Sequence, residues 1–391
     1  MSIRKSILAL TVVVMATILF ITGCGPTAYT IQQEGNAALR VHELETAQKK
    51  FTTADSMYTD QHDKLLFQLD AAMGYLVTGQ DEMAYKYFAA ILQALKNIED
   101  KGEVAKGFNR LKSSKKRMYV PTDHEKLMIR YLYACLLYKM ERYDEALIEL
   151  KQLKLRAGEK AELPETEMMM GLCYYNMRDW DDAAVSFQYV ISKIENVEIA
   201  YYYLVNAYKE INDKATIKTV LEQYHTVFGR DMTALIKRYK ETDPKLLLLI
   251  YAYTQENKNL QLYADDMNDN LEVGYYVGST VPYTSTGEVL TDVAVEVGCA
   301  CAREYLSGLP FMSLVIGSND DDDNRYWYSG PLGFGLAFIQ TDQNAPTVTL
   351  VYRDKKKDEI LFTVSNTVRF GASNFDFYHV SGKLEAKGCG S

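Results

Sequence analysis

The stretch Met168-Met169-Met170-Gly171-Leu172-Cys173-Tyr174-Tyr175-Asn176-Met177-Arg178-Asp179-Trp180-Asp181-Asp182-Ala183-Ala184-Val185-Ser186-Phe187 decides the fold. Apolar residues three and four apart mark two amphipathic helices, joined at a short turn in which Trp180 sits. Gly171 supplies a small residue where the two helices cross, and Ala183 supplies the small contact on the second. Tyr174, Phe187 and Val190 are large and fill the groove left by that close approach. The same register recurs elsewhere. Ala134, Leu137, Tyr143, Ala146, Leu150 and Leu153 form one copy. Ala72, Tyr75, Gly79, Ala84, Phe88 and Ile91 form a second, and Gly35, Ala38, Ala47, Phe51 and Ala54 a third. Val205, Tyr208, Ile217, Leu221 and Tyr224 form a degenerate last copy. The crossing positions fall at 35, 72, 134, 171 and 205, with separations of 37, 62, 37 and 34. Each hairpin keeps an apolar face that only a neighbour can cover, so the copies should stack into a solenoid.

This pattern resembles the tetratricopeptide (TPR) family, whose repeat period is about 34 residues. The resemblance covers about residues 28–228, and the long separation marks an insertion, Lys101 to Thr122, that reads as an exposed basic excursion carrying LKSSKKR. It implies a concave wall, built from the first helix of each hairpin, that binds a protein or peptide partner. Carried onto this register, that wall places Tyr131, Tyr138, Lys139, Met168, Tyr175, Asn176, Tyr202, Asn206 and Lys209 as candidate partner-binding residues. Tyrosine suits recognition because it offers apolar area with a hydrogen-bonding tip at little entropic cost. The chain holds 30 tyrosines, so the competing expectation is that these rings pack against the next repeat or the C-terminal region.

The N-terminus has a separate character. Arg4 and Lys5 precede an uninterrupted apolar or small run from Ile7 to Ile21. That run is short for a membrane span, which needs about 20 apolar residues, and its anatomy is that of an export signal. Ile21-Thr22-Gly23-Cys24 resembles the lipobox of bacterial lipoproteins. The resemblance implies a signal peptide over 1–23, cleavage before Cys24, and acyl chains on Cys24 as a membrane anchor. Gly25 in place of Asp implies, in a Gram-negative cell, transfer to the outer membrane, facing the periplasm. Removing Arg4 and Lys5 leaves 41 basic against 52 acidic residues, a net charge of −11. That balance argues against a nucleic-acid partner, which needs a basic footprint, and against a body lying flat on anionic lipid.

Residues 24–270 read as the helical repeat domain. Met232, Leu235, Ile236 and Tyr239 keep helical spacing, and Pro244 marks a new start, so Leu246 to Tyr253 is expected to be an apolar helix closing the solenoid. From 271 to 391 the texture changes to a smaller β-rich or α+β domain. Thr347–Tyr352 and Ile360–Val364 read as a hairpin, and Phe375–Val380 as a further strand. Asp292–Leu306 fits helix or strand equally. Of the five cysteines after Cys24, Cys135 and Cys173 fall on helical core faces, while Cys299 or Cys301 is available to pair with Cys389.

Nothing in the chain carries a catalytic signature. The five histidines, His42, His62, His124, His225 and His379, are scattered, whereas a zinc site needs a tight cluster. Gly330-Pro331-Leu332-Gly333-Phe334-Gly335 lacks the rest of a nucleotide fingerprint and reads as a bend or close backbone contact. Asp320–Asp323 with Asn324 lacks the alternation and distant acid of a calcium loop. The expectation is therefore a non-enzymatic, membrane-anchored scaffold of the cell envelope, without cofactor or metal, acting in assembly or secretion. The competing readings are a C-terminal hydrolase or ligand-binding module mounted on the solenoid, and a structural subunit of a surface complex.

Overall fold

The computed structural model describes residues 26–100, 118–158, 163–194, 197–241, 244–251, 260–264, 327, 329–330, 333–339, 347–353 and 360–380. Eleven helices come first among them: α1 (Ala28–Arg40), α2 (Leu44–Met57), α3 (Lys64–Val77), α4 (Asp81–Asp100), α5 (Asp123–Lys139), α6 (Tyr143–Ala157), α7 (Pro164–Asn176), α8 (Trp180–Lys193), α9 (Glu198–Glu210), α10 (Lys214–Phe228) and α11 (Thr233–Glu241). The first ten pair as five consecutive antiparallel hairpins, each packed on the next. The first helices of the later hairpins, α5, α7 and α9, also touch one another and form the inner wall. This is a TPR-like helical solenoid.

The small crossing residues have the role their spacing implies. A Cβ on Gly171 would lie 2.7 Å from the Phe187 ring, and one on Gly35 would lie 2.6 Å from the Phe51 ring. Ala72, Ala134 and Val205 are fully buried at the equivalent crossings. The turns repeat as strictly as the crossings. His42, Gly79, Glu141, Arg178 and Asn212, each seven residues after a crossing position, all adopt φ between 60° and 70°. Only one of the five is glycine, so four side chains are held in the left-handed region that ordinary residues avoid. Helix α5 starts at a capping box: Thr122 accepts from the Glu125 amide, and the Glu125 carboxylate accepts from the Thr122 amide at 2.7 Å. The insertion's end is not exposed. Tyr119 is buried, and its amide donates to the His62 carbonyl; residues 101–117 lie outside the described residues.

The helical run ends at Glu241 rather than near residue 270. Met232, Leu235 and Tyr239 are buried as their helical spacing implies, but the closing helix expected over Leu246–Tyr253 is a strand, β1 (Lys245–Tyr251). The reason lies in the burial pattern. Leu246 through Ile250 are all buried, on alternating sides. A short apolar run buried on both faces suits a central strand, and it is too brief for a stable helix. The remaining strands are β2 (Leu260–Ala264), β3 (Gly333–Ile339), β4 (Thr347–Arg353), β5 (Ile360–Thr367) and β6 (Phe375–Val380). They form two three-stranded sheets, in the orders β3-β1-β6 and β2-β4-β5. Strand β1 runs antiparallel to β3, with Leu248 opposite Leu336, and parallel to β6, with Leu248 opposite Phe377. The expected hairpin is present as antiparallel β4 and β5, and the expected last strand is β6. The Tyr378 hydroxyl donates to the Val348 carbonyl at 3.1 Å and ties the two sheets together. The glycine-rich stretch resolves into a close contact and a strand: a Cβ on Gly330 would meet Trp327 at 2.7 Å, and Gly333 opens β3.

Candidate functional site

The inner wall of the solenoid is not a free groove over its middle. One continuous apolar cluster joins helix residues such as Leu69, Leu132 and Met169 to Leu246, Leu248, Ile250, Phe334, Leu336, Phe375 and Phe377 of the first sheet. Strand β6 packs against both α3 and α5. The chain's own sheet therefore covers the wall that the register assigned to a partner.

The nine candidate residues divide accordingly. Tyr131 is buried with its ring against Phe334 of β3, centroids 5.1 Å apart. Tyr138 is buried edge-on to Phe375 of β6 at 5.4 Å. Lys139, at the end of α5, bonds Asp376 of β6 at 2.7 Å and Asp81 of α4 at 2.9 Å, and its ammonium lies over the Phe377 ring. Burial alone would lower its pKa, but the two carboxylates outweigh this and raise it. Its carbonyl also accepts from the Ser373 hydroxyl. Met168 and Tyr202 are buried too, and the Tyr202 hydroxyl donates to the Tyr239 carbonyl of α11 at 3.3 Å. These five are packing residues rather than an open binding face. The physical reason is that an apolar, aromatic wall gains more from the chain's own apolar strands than from water. The other four remain accessible: Asn176 and Lys209 are exposed, and Tyr175 and Asn206 are half-buried. The Asn176 amide donates to the Tyr138 hydroxyl at 3.0 Å, so it also stiffens the covered part. Tyr175 packs edge-on against Trp180 and Tyr203.

The join between wall and sheet includes buried acids that spacing alone did not mark. Glu125, besides capping α5, accepts from the Trp327 amide at 2.8 Å and from the Tyr119 hydroxyl at 3.1 Å. Asp70 of α3 accepts from the Ser329 hydroxyl at 2.5 Å and from the Gln32 amide, and the Ser329 hydroxyl in turn accepts from the Trp327 indole at 2.7 Å. Trp327 is almost fully buried here. Desolvation raises the Asp70 pKa to about 6 and raises that of Glu125, against the pull of those donors. Glu165 of α7 is held well above the ordinary carboxylate range by burial, and one of its oxygens is buried with no hydrogen-bond partner among the described residues. At the far end of β6, His379 stacks on His42, and burial followed by that neighbour lowers its pKa to about 3. These groups bind elements together.

Two sequence signals could have found this join. Thr122-x-x-Glu125 is a readable capping box. Asp70 is a lone acid inside LLFQLDAAMGYL, a helix apolar on every side, which calls for a buried donor. Cys135 and Cys173 are buried free thiols, as expected of core positions. Cys24, Cys299, Cys301, Cys389, Asp292–Leu306 and Asp320–Asn324 lie outside the described residues.

No protein-family model matches this chain, and no curated protein matches it. Similar solved structures include YrrB, described as a TPR protein with an unusual peptide-binding site, at 17% identity and a TM-score of 0.40 over 56% of this chain and 95% of that one. They also include MamA, at 11% identity and 0.37 over 52% of this chain and 97% of that one. The apo form of RapI is similar at 14% identity and 0.40, over 54% of this chain and 58% of that one. The assignment of stacked hairpins rests on this chain's own crossings, turns and contacts.

Proposed function

We propose that this chain is a lipoprotein of the cell envelope, anchored through acylated Cys24 to the outer membrane, whose solenoid is a non-enzymatic scaffold for a protein partner in the periplasm. The anchor reading is supported by the basic start, the short apolar run and the lipobox-like Ile21–Cys24. Partner capture is assigned to the part of the inner wall that the C-terminal sheet leaves accessible. The observation that carries this assignment is the split among the candidate residues: Tyr131, Tyr138 and Lys139 face β3 and β6, while Asn176 and Lys209 are exposed. The sheet then acts as a fixed part of the scaffold that narrows the groove to the ends of α7 and α9.

The test is chemical cross-linking in envelope preparations followed by capture of the tagged protein. A defined protein should be captured with the native chain. Asn176→Ala together with Lys209→Glu should reduce that capture at least several-fold while the circular dichroism stays native. Cys24→Ser should release the chain from the membrane fraction. Undiminished capture by the double variant would move the partner site elsewhere, and a Cys24→Ser chain that still sediments with membrane would remove the anchor.

A further inference from the structure

We infer that Trp327, Ser329 and strand β6 form a latch that sets the angle between the second and third hairpins. The inference concerns the mechanics of the solenoid and stands apart from the anchor and from the captured partner. It starts from a break in the repeat. Crossing positions lie 34 to 37 residues apart except between Ala72 and Ala134, where the separation is 62. An unbroken repeat fixes how one hairpin packs on the next, because each covers its neighbour's apolar face in the same register. At the break that register is interrupted, and α4 meets α5 over a shorter contact than the one joining any other two consecutive hairpins.

What spans the break comes from the far end of the chain. Strand β6 packs against α3 on one side of it and α5 on the other, whereas the inner helices α5, α7 and α9 meet directly. A chain of hydrogen bonds makes the first link. The Trp327 amide donates to Glu125 of α5 at 2.8 Å, its indole donates to the Ser329 hydroxyl at 2.7 Å, and that hydroxyl donates to Asp70 of α3 at 2.5 Å. The Gly330 amide donates to the Trp327 carbonyl at 3.1 Å, and a Cβ at Gly330 would meet the Trp327 ring at 2.7 Å, so this segment is closely folded on itself. Lys139 makes the second link. Its ammonium bonds Asp376 of β6 at 2.7 Å and Asp81 of α4 at 2.9 Å, and its carbonyl accepts from the Ser373 hydroxyl at 3.0 Å.

Both links cross the break, since Asp70 and Asp81 belong to the second hairpin and Glu125 and Lys139 to the third. Glu125 lies in the first turn of α5 and Lys139 is its last residue, so the helix is gripped at two points about 21 Å apart along its axis. A helix held at one point can pivot; one held at two such points cannot swing without breaking a link. Asp70, Glu125, Trp327 and Ser329 are all buried, where a broken hydrogen bond is not replaced by water. The joint therefore has a defined closed position, and its release depends on residues that stand about 200 or more positions away in the sequence.

The experiment measures distances by pulsed electron paramagnetic resonance in the full chain, with nitroxides coupled to p-acetylphenylalanine. Labels replacing Glu45 of α2 and Gln152 of α6 report across the break, and labels replacing Gln152 and Lys218 of α10 report on one side of it. All three positions are exposed and lie outside the links. The unaltered latch should give narrow distributions for both pairs. Ser329→Ala with Asp376→Asn cuts both links; the distribution for 45 and 152 should then widen or shift, while that for 152 and 218 stays narrow and the circular dichroism stays helical. Ser329→Ala alone should widen the first distribution less, and it decides the matter if the double variant does not fold. A distribution for 45 and 152 that is unchanged in the variants, or already broad with the latch intact, overturns the inference. Equal broadening of both pairs does so as well, because it marks general loosening rather than a released joint.

Discussion

At the scale of single residues, the solenoid is governed by two kinds of position with opposite demands. The turn positions hold side chains in a backbone region that suits glycine. Arg178 sits at φ 64° with its side chain exposed. Arg178→Gly should therefore stabilise the protein, since relief of the left-handed penalty, about 1 kcal/mol, outweighs the extra freedom given to the unfolded chain. Urea denaturation would reveal it as a higher midpoint, and a lower one would refute the strain argument. The crossing positions admit no more atoms than they have. Gly171→Ala would gain helix propensity but place a methyl 2.7 Å from the Phe187 ring. Overpacking of this kind costs about 1–3 kcal/mol, so the net change should be a lower melting temperature. An unchanged melting temperature would mean that the ring yields freely.

At the scale of elements, the join between helix α3 and the Trp327–Ser329 segment is an uncompensated buried acid. Asp70 receives hydrogen bonds from Ser329 and Gln32, and no salt bridge among the described residues involves it. Burial raises its pKa from 3.8 to about 6. A raised acid pKa means that the folded form holds the proton more tightly than the unfolded form does. Stability from this group is thus fully present below about pH 4 and is lost as pH rises through about 6. Asp70→Asn removes the ionisation and keeps an acceptor for Ser329. Its stability relative to the native chain should improve between pH 4 and 7 by on the order of 2–3 kcal/mol. His379 works in the opposite sense, because its lowered pKa makes acid destabilising, but both proteins share it and it cancels in the difference. Chemical denaturation of the two chains across that range is the measurement, and a pH-independent difference would show that Asp70 does not titrate in the window.

At the scale of the whole molecule, solenoid and first sheet share one apolar core, so they should unfold together. Trp180→Phe leaves Trp327 as the only indole, since the chain has two tryptophans. Urea unfolding followed by Trp327 emission and by helical circular dichroism should then give coincident transitions. An earlier Trp327 transition would make the sheet a separable unit. The hairpins themselves were legible because helix pairing is local: Gly171 and Phe187 are close in sequence, and their sizes and spacing define their contact. Terminal elements were legible for the same reason, as with the β4–β5 hairpin. The run Leu246–Tyr253 suggests a helix because an all-apolar run lacks a distinguishing periodicity, and only the two buried sides of residues 246–250 make it a strand. Spacing leaves open whether Tyr138 meets a partner or the chain's own C-terminal region, because its contact with Phe375 depends on chain more than 200 residues away. The sequence by itself determined the repeat, its register and its turns, all of which follow from neighbours along the chain. Only the tertiary structure decided which part of the inner wall is covered and which acids are buried, because burial is set by long-range packing that no local spacing encodes.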